Sequence, residues 1–464
     1  MFAFLLMFGF LAAFSFGGSS PADETPPDET PPDETPDDNI IDGTEDDDLL
    51  TGTDANELIR GFGGNDTLEG GGGFDTLEGG AGDDLLTTET GGWLYGGEGN
   101  DTLIGHYAEL YGGAGDDLMQ SNGEGVNFHI DGGNDTAIGD DGWNAFHLYE
   151  GFETALIEGG RGEDFLLTDL VGEAVMDANG ELIFTATSGG RAVATGIDRL
   201  NIGGGRVDAS ASSRALDIWI GDFDSEIIGS AFGEQISGGA GDDLIHAGDG
   251  DDTLSGYAGN DTLYGEGGDD VLNVGATGWA DGGSGDDVLT GQLGSTLNGG
   301  EGDDSMRGGS LMEGGAGNDT LISSDEEATL RGGEGDDLLR GIGILDGGDG
   351  DDVLFGHRGA ILTGGAGNDI FQLGNEGGDP EDANTITDFA AGEDHIEVTG
   401  SYAYGDPLPV FTLEPDAESN SVSIFINGNV VATVEGTTEI AAEDITFYHY
   451  NYESGDPPEP VEIA

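Results

Sequence analysis

One nine-residue phrase returns along this chain often enough to decide what it can fold into. Between Glu234 and Gln372 it reads GGAGDDLIH from Gly238, AGDGDDTLS from Ala247, GYAGNDTLY from Gly256 and GEGGDDVLN from Gly265, with further copies from Gly282, Gly299, Gly314, Gly332, Gly347 and Gly364. Clear earlier copies begin at Gly61, Gly70, Gly79, Gly96 and Gly112, and a lone one, GGRGEDFLL, at Gly159. The consensus is G-G-x-G-x-D-x-U-x, with U apolar. Its glycines let the backbone reach positive φ and turn main-chain carbonyls inward. The sixth position is aspartate in every one of these copies. The eighth is the inward side chain of a short strand: Leu254, Leu263, Leu272, Leu289, Met306, Leu321, Leu339, Leu354 and Phe371 make a column that no single repeat could bury alone.

The phrase resembles the RTX, or hemolysin-type, family, whose repeats build calcium-binding parallel β-rolls. The resemblance implies an all-β solenoid in which each coil is two nine-residue halves, so turns on one side recur about every eighteen residues. It also implies Ca2+ as the bound ion. The chemistry agrees, because calcium takes six to eight oxygens from carboxylates and carbonyls, and two stacked turns could enclose one ion.

Spacing sorts the acids into sides. Asp48, Asp66, Asp84, Asp101, Asp117 and Asp135 follow one another at steps of 18, 18, 17, 16 and 18, with Glu57 and Asp75 on the other side. Later, Asp243 and Asp261 share one side. The other carries Glu234, Asp252, Asp270, Asp287, Asp304, Asp319, Asp337, Asp352 and Asp369, at steps of 15 to 18. After Asp270 the intervening turns read GWADGG, STLNGG, SLMEGG, ATLRGG, GILDGG and AILTGG, so both arrays begin with acidic turns on two sides and continue on one. The expected metal ligands are Asp66, Asp75, Asp84, Asp101, Asp117, Asp243, Asp252, Asp261, Asp270, Asp287, Asp304, Asp319, Asp337, Asp352 and Asp369. Position five varies among Asp, Asn, Glu and Phe74, and is expected to face solvent.

The rest of the chain divides around these arrays. Residues 1–18 are almost wholly apolar and read as an export signal, a membrane anchor or a misassigned start; a cut near Ala22 fits the small residues there. Residues 19–42 contain DETPP repeats and read as a solvated acidic, proline-rich spacer. The first roll spans 43–141 and the second 234–373. Between them, 142–233 reads as an irregular β segment, either an insertion or aberrant coils, with a partner-binding site as the functional alternative. A hairpin is expected at Asn179 and Gly180, a strand at Trp219, and Arg191, Arg199, Arg206 and Arg214 fall here. Its Asp164 has no same-side partner at eighteen residues, which makes it a weaker ligand candidate. Glu226 and Glu234 precede Asp243 and Asp252 by 17 and 18 residues, which starts the second roll before its first clean motif. Residues 374–464 form the cap and tail. ITDFAAGEDHIEV resembles the segment that closes RTX rolls, with Asp388, Phe389, Gly392, Asp394 and Ile396 at the matching places, and a hairpin is expected to turn at Asn427 and Gly428. The last twelve residues, ESGDPPEPVEIA, read as disordered or as an acidic secretion-type tail.

Composition narrows the partners. There are 96 acidic residues against 10 basic ones, all arginine, so nucleic acid and anionic membrane surfaces are poor partners and membrane contact is expected only through residues 1–18. The absence of cysteine excludes disulfides and thiol chemistry, which leaves metal binding as the source of extra stability. The seven histidines never fall at the H-E-x-x-H spacing, there is no G-x-S-x-G, and without lysine there is no Walker A loop. The expectation is a secreted, non-enzymatic calcium-binding protein that folds outside the cell, a surface or matrix component with polysaccharide as a candidate partner. The resemblance implies type I secretion on an uncleaved C-terminal signal; the apolar residues 1–18 depart from that pattern and leave an N-terminal signal as the alternative route. The alternative is a secreted enzyme acting on polysaccharide, its active region in 142–233 or 374–464.

Overall fold

The structure, a computed structural model, describes residues 39–123, 125–275, 277–374, 382–402, 407–451 and 459–461. The readings of residues 1–38 as signal and spacer lie outside it. So does most of the C-terminal tail, although Glu459–Val461 within it forms a strand antiparallel to the strand Ile445–Asn451. The first strand, Ile40–Asp42, begins inside the stretch read as spacer, where Ile40 and Ile41 supply the apolar residues that the proline-rich part lacks.

The described residues build an all-β parallel solenoid. Each coil places one short strand in each of two facing sheets, and each strand pairs in parallel with the strands one coil before and after it. Leu58–Gly63 lies between Ile40–Asp42 and Asp75–Ala81 in the first sheet, while Thr67–Glu69 lies between Leu49–Thr51 and Leu85–Thr87 in the second. Most of these strands pair over only three to six residues, too short to be stable alone, so order comes from stacking. Side chains alternate in and out with period two, which puts the eighth motif residue between the sheets. Leu254 pairs with Leu272, Leu272 with Leu289, Leu289 with Met306, and Leu339 with Leu354, and all are buried. The turns without aspartate supply the facing column, Ala280, Leu297, Met312, Leu330, Leu345 and Leu362, also buried.

Each glycine of the motif has its own reason. Gly300 and Gly302 have φ of 118° and 130°, and a Cβ on Gly302 would lie 2.0 Å from the Gly285 carbonyl oxygen one coil earlier. Gly299 needs no unusual φ; a Cβ there would lie 2.1 Å from Oδ2 of Asp304.

Residues 142–233 carry the solenoid on. Asn144–Leu148, Asp164–Leu167, Arg199–Ile202 and Asp217–Ile220 are successive strands of the first sheet. In the second sheet one coil is replaced by a three-stranded meander, Val171–Met176, Leu182–Ala186 and Arg191–Thr195, whose inner pairings are antiparallel and whose outer strands rejoin the parallel stack. Asn179 and Gly180 lie in its first turn. The register also corrects one reading: Glu226 pairs with Leu244, and Ser225, one residue earlier, is the residue that stands before Asp243.

At the C-terminal end both sheets keep a parallel pairing, His395–Tyr402 with Ile445–Asn451 in the first and Asn384–Ile386 with Asn429–Glu435 in the second, and an antiparallel meander is added to the second. In it Asn429–Glu435 turns back on Ser421–Ile426 and then on Phe411–Asp416. Asn427 and Gly428 make the tight turn, with φ of 54° and 84°, the positive values that a two-residue type I′ hairpin requires.

Candidate metal columns

Stacking turns the sixth motif position into a ladder. The N–H of Asp270 donates to Oδ1 of Asp287 (2.8 Å), that of Asp287 to Asp304 (2.8 Å), and that of Asp304 to Asp319 (2.8 Å). The series runs from Glu234 through Asp252 to Asp394 without a break. Asp48, Asp66, Asp84, Asp101, Asp117 and Asp135 make the equivalent ladder in the first array. Two short ladders, Glu57 to Asp75 and Ser225 through Asp243 to Asp261, lie opposite the long ones.

The two long ladders are on different sides of the solenoid. Asp66 stands where the chain passes from the first sheet to the second, between Leu58–Gly63 and Thr67–Glu69. Asp304 stands where it returns, between Thr296–Glu301 and Ser305–Arg307. The change of side falls between Asp135 and Asn144, and Asn144 heads the series that continues through Asp164 and Asp198. Asp164 therefore has same-side partners, at 20 and 34 residues, because coils here are longer than eighteen.

With Oδ1 occupied by the neighbouring N–H, Oδ2 is left over. Seventeen aspartates have a buried Oδ2 with no hydrogen-bond partner among the described residues: all fifteen expected from the sequence, together with Asp135 and Asp164. An unpaired buried oxygen is costly, and one aimed at a common space by each of many turns asks for a cation. In nine of the fifteen, the space that a side chain at the first glycine would fill is also bordered by a carbonyl of the next turn. At Gly299 these are Asp304 Oδ2 at 2.1 Å and the Gly314 oxygen at 2.5 Å. The same pair of oxygens meets at the turns of Asp66, Asp84, Asp101, Asp270, Asp287, Asp319, Asp337 and Asp352. Beside Gly70, Gly112, Gly238, Gly256 and Gly364 the nearest atoms are those of the turn's own aspartate, Asp75, Asp117, Asp243, Asp261 or Asp369. At Asp252 the first position is Ala247. These donors fit a hard, oxygen-seeking cation, with a carboxylate and a carbonyl from successive turns.

Burial raises these carboxyls. Asp270, Asp304, Asp337 and Asp352 are pushed up to about 7, and Asp287, Asp319 and Asp369 to about 6; desolvation is the main cause, the backbone N–H opposes it, and neighbouring carboxylates add to it.

Three ladder starts, at Asp48, Glu57 and Glu234, and the far end of the longest ladder are finished without a free oxygen. Asp48 accepts from the N–H and hydroxyl of Thr44 (2.6 and 2.8 Å), and Glu57 and Glu234 accept from the N–H and hydroxyl of Thr53 and Ser230. At the far end Asp394 accepts from the N–H groups of Asp369 and Ala390 (3.1 and 2.7 Å), while Asp388 takes those of Gly364 and Gly365 (3.0 and 2.9 Å).

The sequence reading missed a second, outer ladder. Position five is exposed, yet its N–H donates to Oδ1 of position five one coil earlier: Asp303 to Asp286 (2.9 Å), Asn318 to Asp303 (2.7 Å), Asp336 to Asn318 (2.8 Å). Asp and Asn both offer that oxygen, so the near restriction of position five to these two residues was the available signal.

The family model for the RTX calcium-binding nonapeptide repeat matches residues 60–106, 228–276, 281–310, 313–341 and 344–376. Over these stretches the chain carries RTX calcium-binding nonapeptide repeats. The RTX repeats bind Ca2+, and in this chain the matched stretches include the two series of buried aspartates at 66–101 and 243–369. The extracellular lipase LipA from Serratia marcescens is a similar solved structure at 16% identity over 78% of this chain and 44% of its own, with a TM-score of 0.17, a likeness too slight to carry an argument. The present chain thus spans less than half the length of that lipase. The comparison with curated proteins found no match.

Proposed function

We propose that this chain is a secreted, non-enzymatic calcium-binding protein that folds when calcium meets its two columns outside the cell. The observation that carries the reading is the set of buried aspartate oxygens without partners, including the seven successive turns from Asp270 to Asp369. Without the ion these carboxylates repel across stacked coils; an ion that binds the folded form alone stabilises it by RT ln(1 + [L]/Kd) at each site. Extracellular calcium modules work at about 0.1 to 1 mM, far above the free calcium of a cytosol, so export unfolded and folding outside follow from one affinity. The fifteen aspartates expected from the sequence are the proposed ligands, and Asp135 and Asp164 join them on the same structural ground. A surface or matrix role, with extracellular polysaccharide as the partner, suits a chain of net charge -86 that binds divalent ions.

Circular dichroism of the full chain, with millimolar calcium and after its removal, tests this. The β spectrum is expected to require calcium; a chelated chain with the full spectrum would overturn the reading. Turnover of an acidic polysaccharide that survives repurification would replace the non-enzymatic part of it.

A further inference from the structure

The aspartate series that begins at Asn144 is unlike the others in where its cations come from. Asp198 gives Oδ2 to the N–H of Asp164 (3.0 Å), as the ladder requires, but its other oxygen is not left over. Arg214 reaches back from the following coil and places Nη1 2.6 Å from Asp198 Oδ1, while Nη2 donates to the Ile197 carbonyl (2.9 Å). A carboxylate and a main-chain carbonyl are the same two kinds of oxygen that converge beside Gly299. The position after Asp198 in the series is Leu216, which pairs one residue before Asp217 and brings no carboxylate of its own. The series also starts on a neutral side chain, because Asn144 donates both its N–H and its Nδ2 to Asp164 Oδ1 (2.9 and 3.0 Å).

We infer that Arg214 is a built-in cation that takes the place of a metal ion at Asp198, so that the coils from Asn144 to Ile220, where Asp164 keeps an unpartnered oxygen, depend far less on calcium than the turns from Asp243 to Asp369. The inference rests on the calcium reading above and assigns one turn of the ladder a different cation. Two further arginines do similar work across the same coils. Arg206 lies 2.8 Å from Asp208, 3.3 Å from Glu173 and 3.6 Å from Glu226, three strands of one sheet. Arg199 lies over the rings of Phe165 and Trp219, at 5.1 and 5.5 Å, and 3.4 Å from Asp217. Exposed ion pairs are individually weak, but a guanidinium that engages a carboxylate and a carbonyl together removes the repulsion that makes the other turns depend on metal.

Hydrogen exchange read by mass spectrometry on the full chain separates the possibilities. In chelator, amides of 144–220 are expected to exchange at least about tenfold more slowly than those of 243–369, and Arg214→Gln is expected to remove that difference while Arg214→Lys keeps part of it. In millimolar calcium both regions should be protected in the wild-type chain. If 243–369 loses protection in chelator and 144–220 loses it equally, the built-in cation is overturned and the calcium reading stands. If 243–369 stays protected in chelator, both are overturned. Unchanged protection of 144–220 in Arg214→Gln would also overturn the role given to Arg214, whether or not the rest of the chain is affected.

Discussion

The backbone N–H of Asp304 donates to Oδ1 of Asp319, 2.8 Å away and fifteen residues on, while Oδ2 of Asp304 remains buried with no partner. Its neighbour Asp303 is exposed, and its Oδ1 accepts the N–H of Asn318. Two adjacent aspartates thus do different jobs. Asp304→Asn keeps an Oδ1 for the ladder and loses the oxygen aimed inward, so calcium affinity should fall and the calcium-bound protein should lose on the order of 2 to 3 kcal/mol. Asp303→Asn keeps the outer bond and should change stability by about 0.5 kcal/mol or less, whereas Asp303→Ala should cost about 1 kcal/mol. Calorimetric titration and thermal melts of the three variants check this; equal losses in the two Asn variants would mean that diffuse charge holds the ions.

Acidity should substitute in part for calcium. Asp304, Asp337 and Asp352 stand at about 7 in the folded chain against a normal 3.8, so the fold favours their protonated forms. Their contribution to the stability of the metal-free protein is fully present below about pH 4 and is lost as pH rises through about 7. Metal-free protein should therefore gain β structure as pH is lowered from 8 to 5, and calcium binding near pH 6 should release protons. Circular dichroism against pH, with titrations in buffers of different ionisation enthalpy, reads both effects. A flat metal-free profile over that range would contradict the assignment.

Gly302 and Gly267 separate backbone demand from glycine content. A Cβ at Gly302 would strike the Gly285 oxygen at 2.0 Å in a region of positive φ, while at Gly267 the nearest atom is the Ser284 hydroxyl at 3.3 Å. Gly302→Ala should cost more than about 2 kcal/mol and Gly267→Ala less than about 1. Melting temperatures in saturating calcium give the comparison.

Ser230 supplies the donors that finish the second long ladder at Glu234, whose side chain is buried. Ser230→Ala removes the hydroxyl and leaves a buried carboxylate oxygen short of a partner, at a cost of about 1 to 3 kcal/mol. Ser230→Thr keeps a hydroxyl, as Thr53 does beside Glu57, and should restore most of the loss in the same thermal melts.

The sequence by itself determined whatever is local to one repeat or fixed by its period. The turn glycines, the invariant aspartate and the inward apolar residue appear in nine letters, and a step near eighteen puts Asp287, Asp304 and Asp319 on one side because a coil has that length. The closing hairpin at Asn427 and Gly428 was legible for the same reason, since two residues of positive φ are a local demand. What only the tertiary structure decided are relationships between coils whose lengths depart from the period. After Asp135 the acids of the long column are carried by the other turn of the coil, and the longer coils there give Asp164 partners at 20 and 34 residues, which no eighteen-residue step could find. The outer ladder through Asp303, the second oxygen offered by Gly314 and the reach of Arg214 to Asp198 join residues from stacked turns. Their chemistry is set by which side chains the stacking brings within bonding distance, and that distance is a property of the assembled coils.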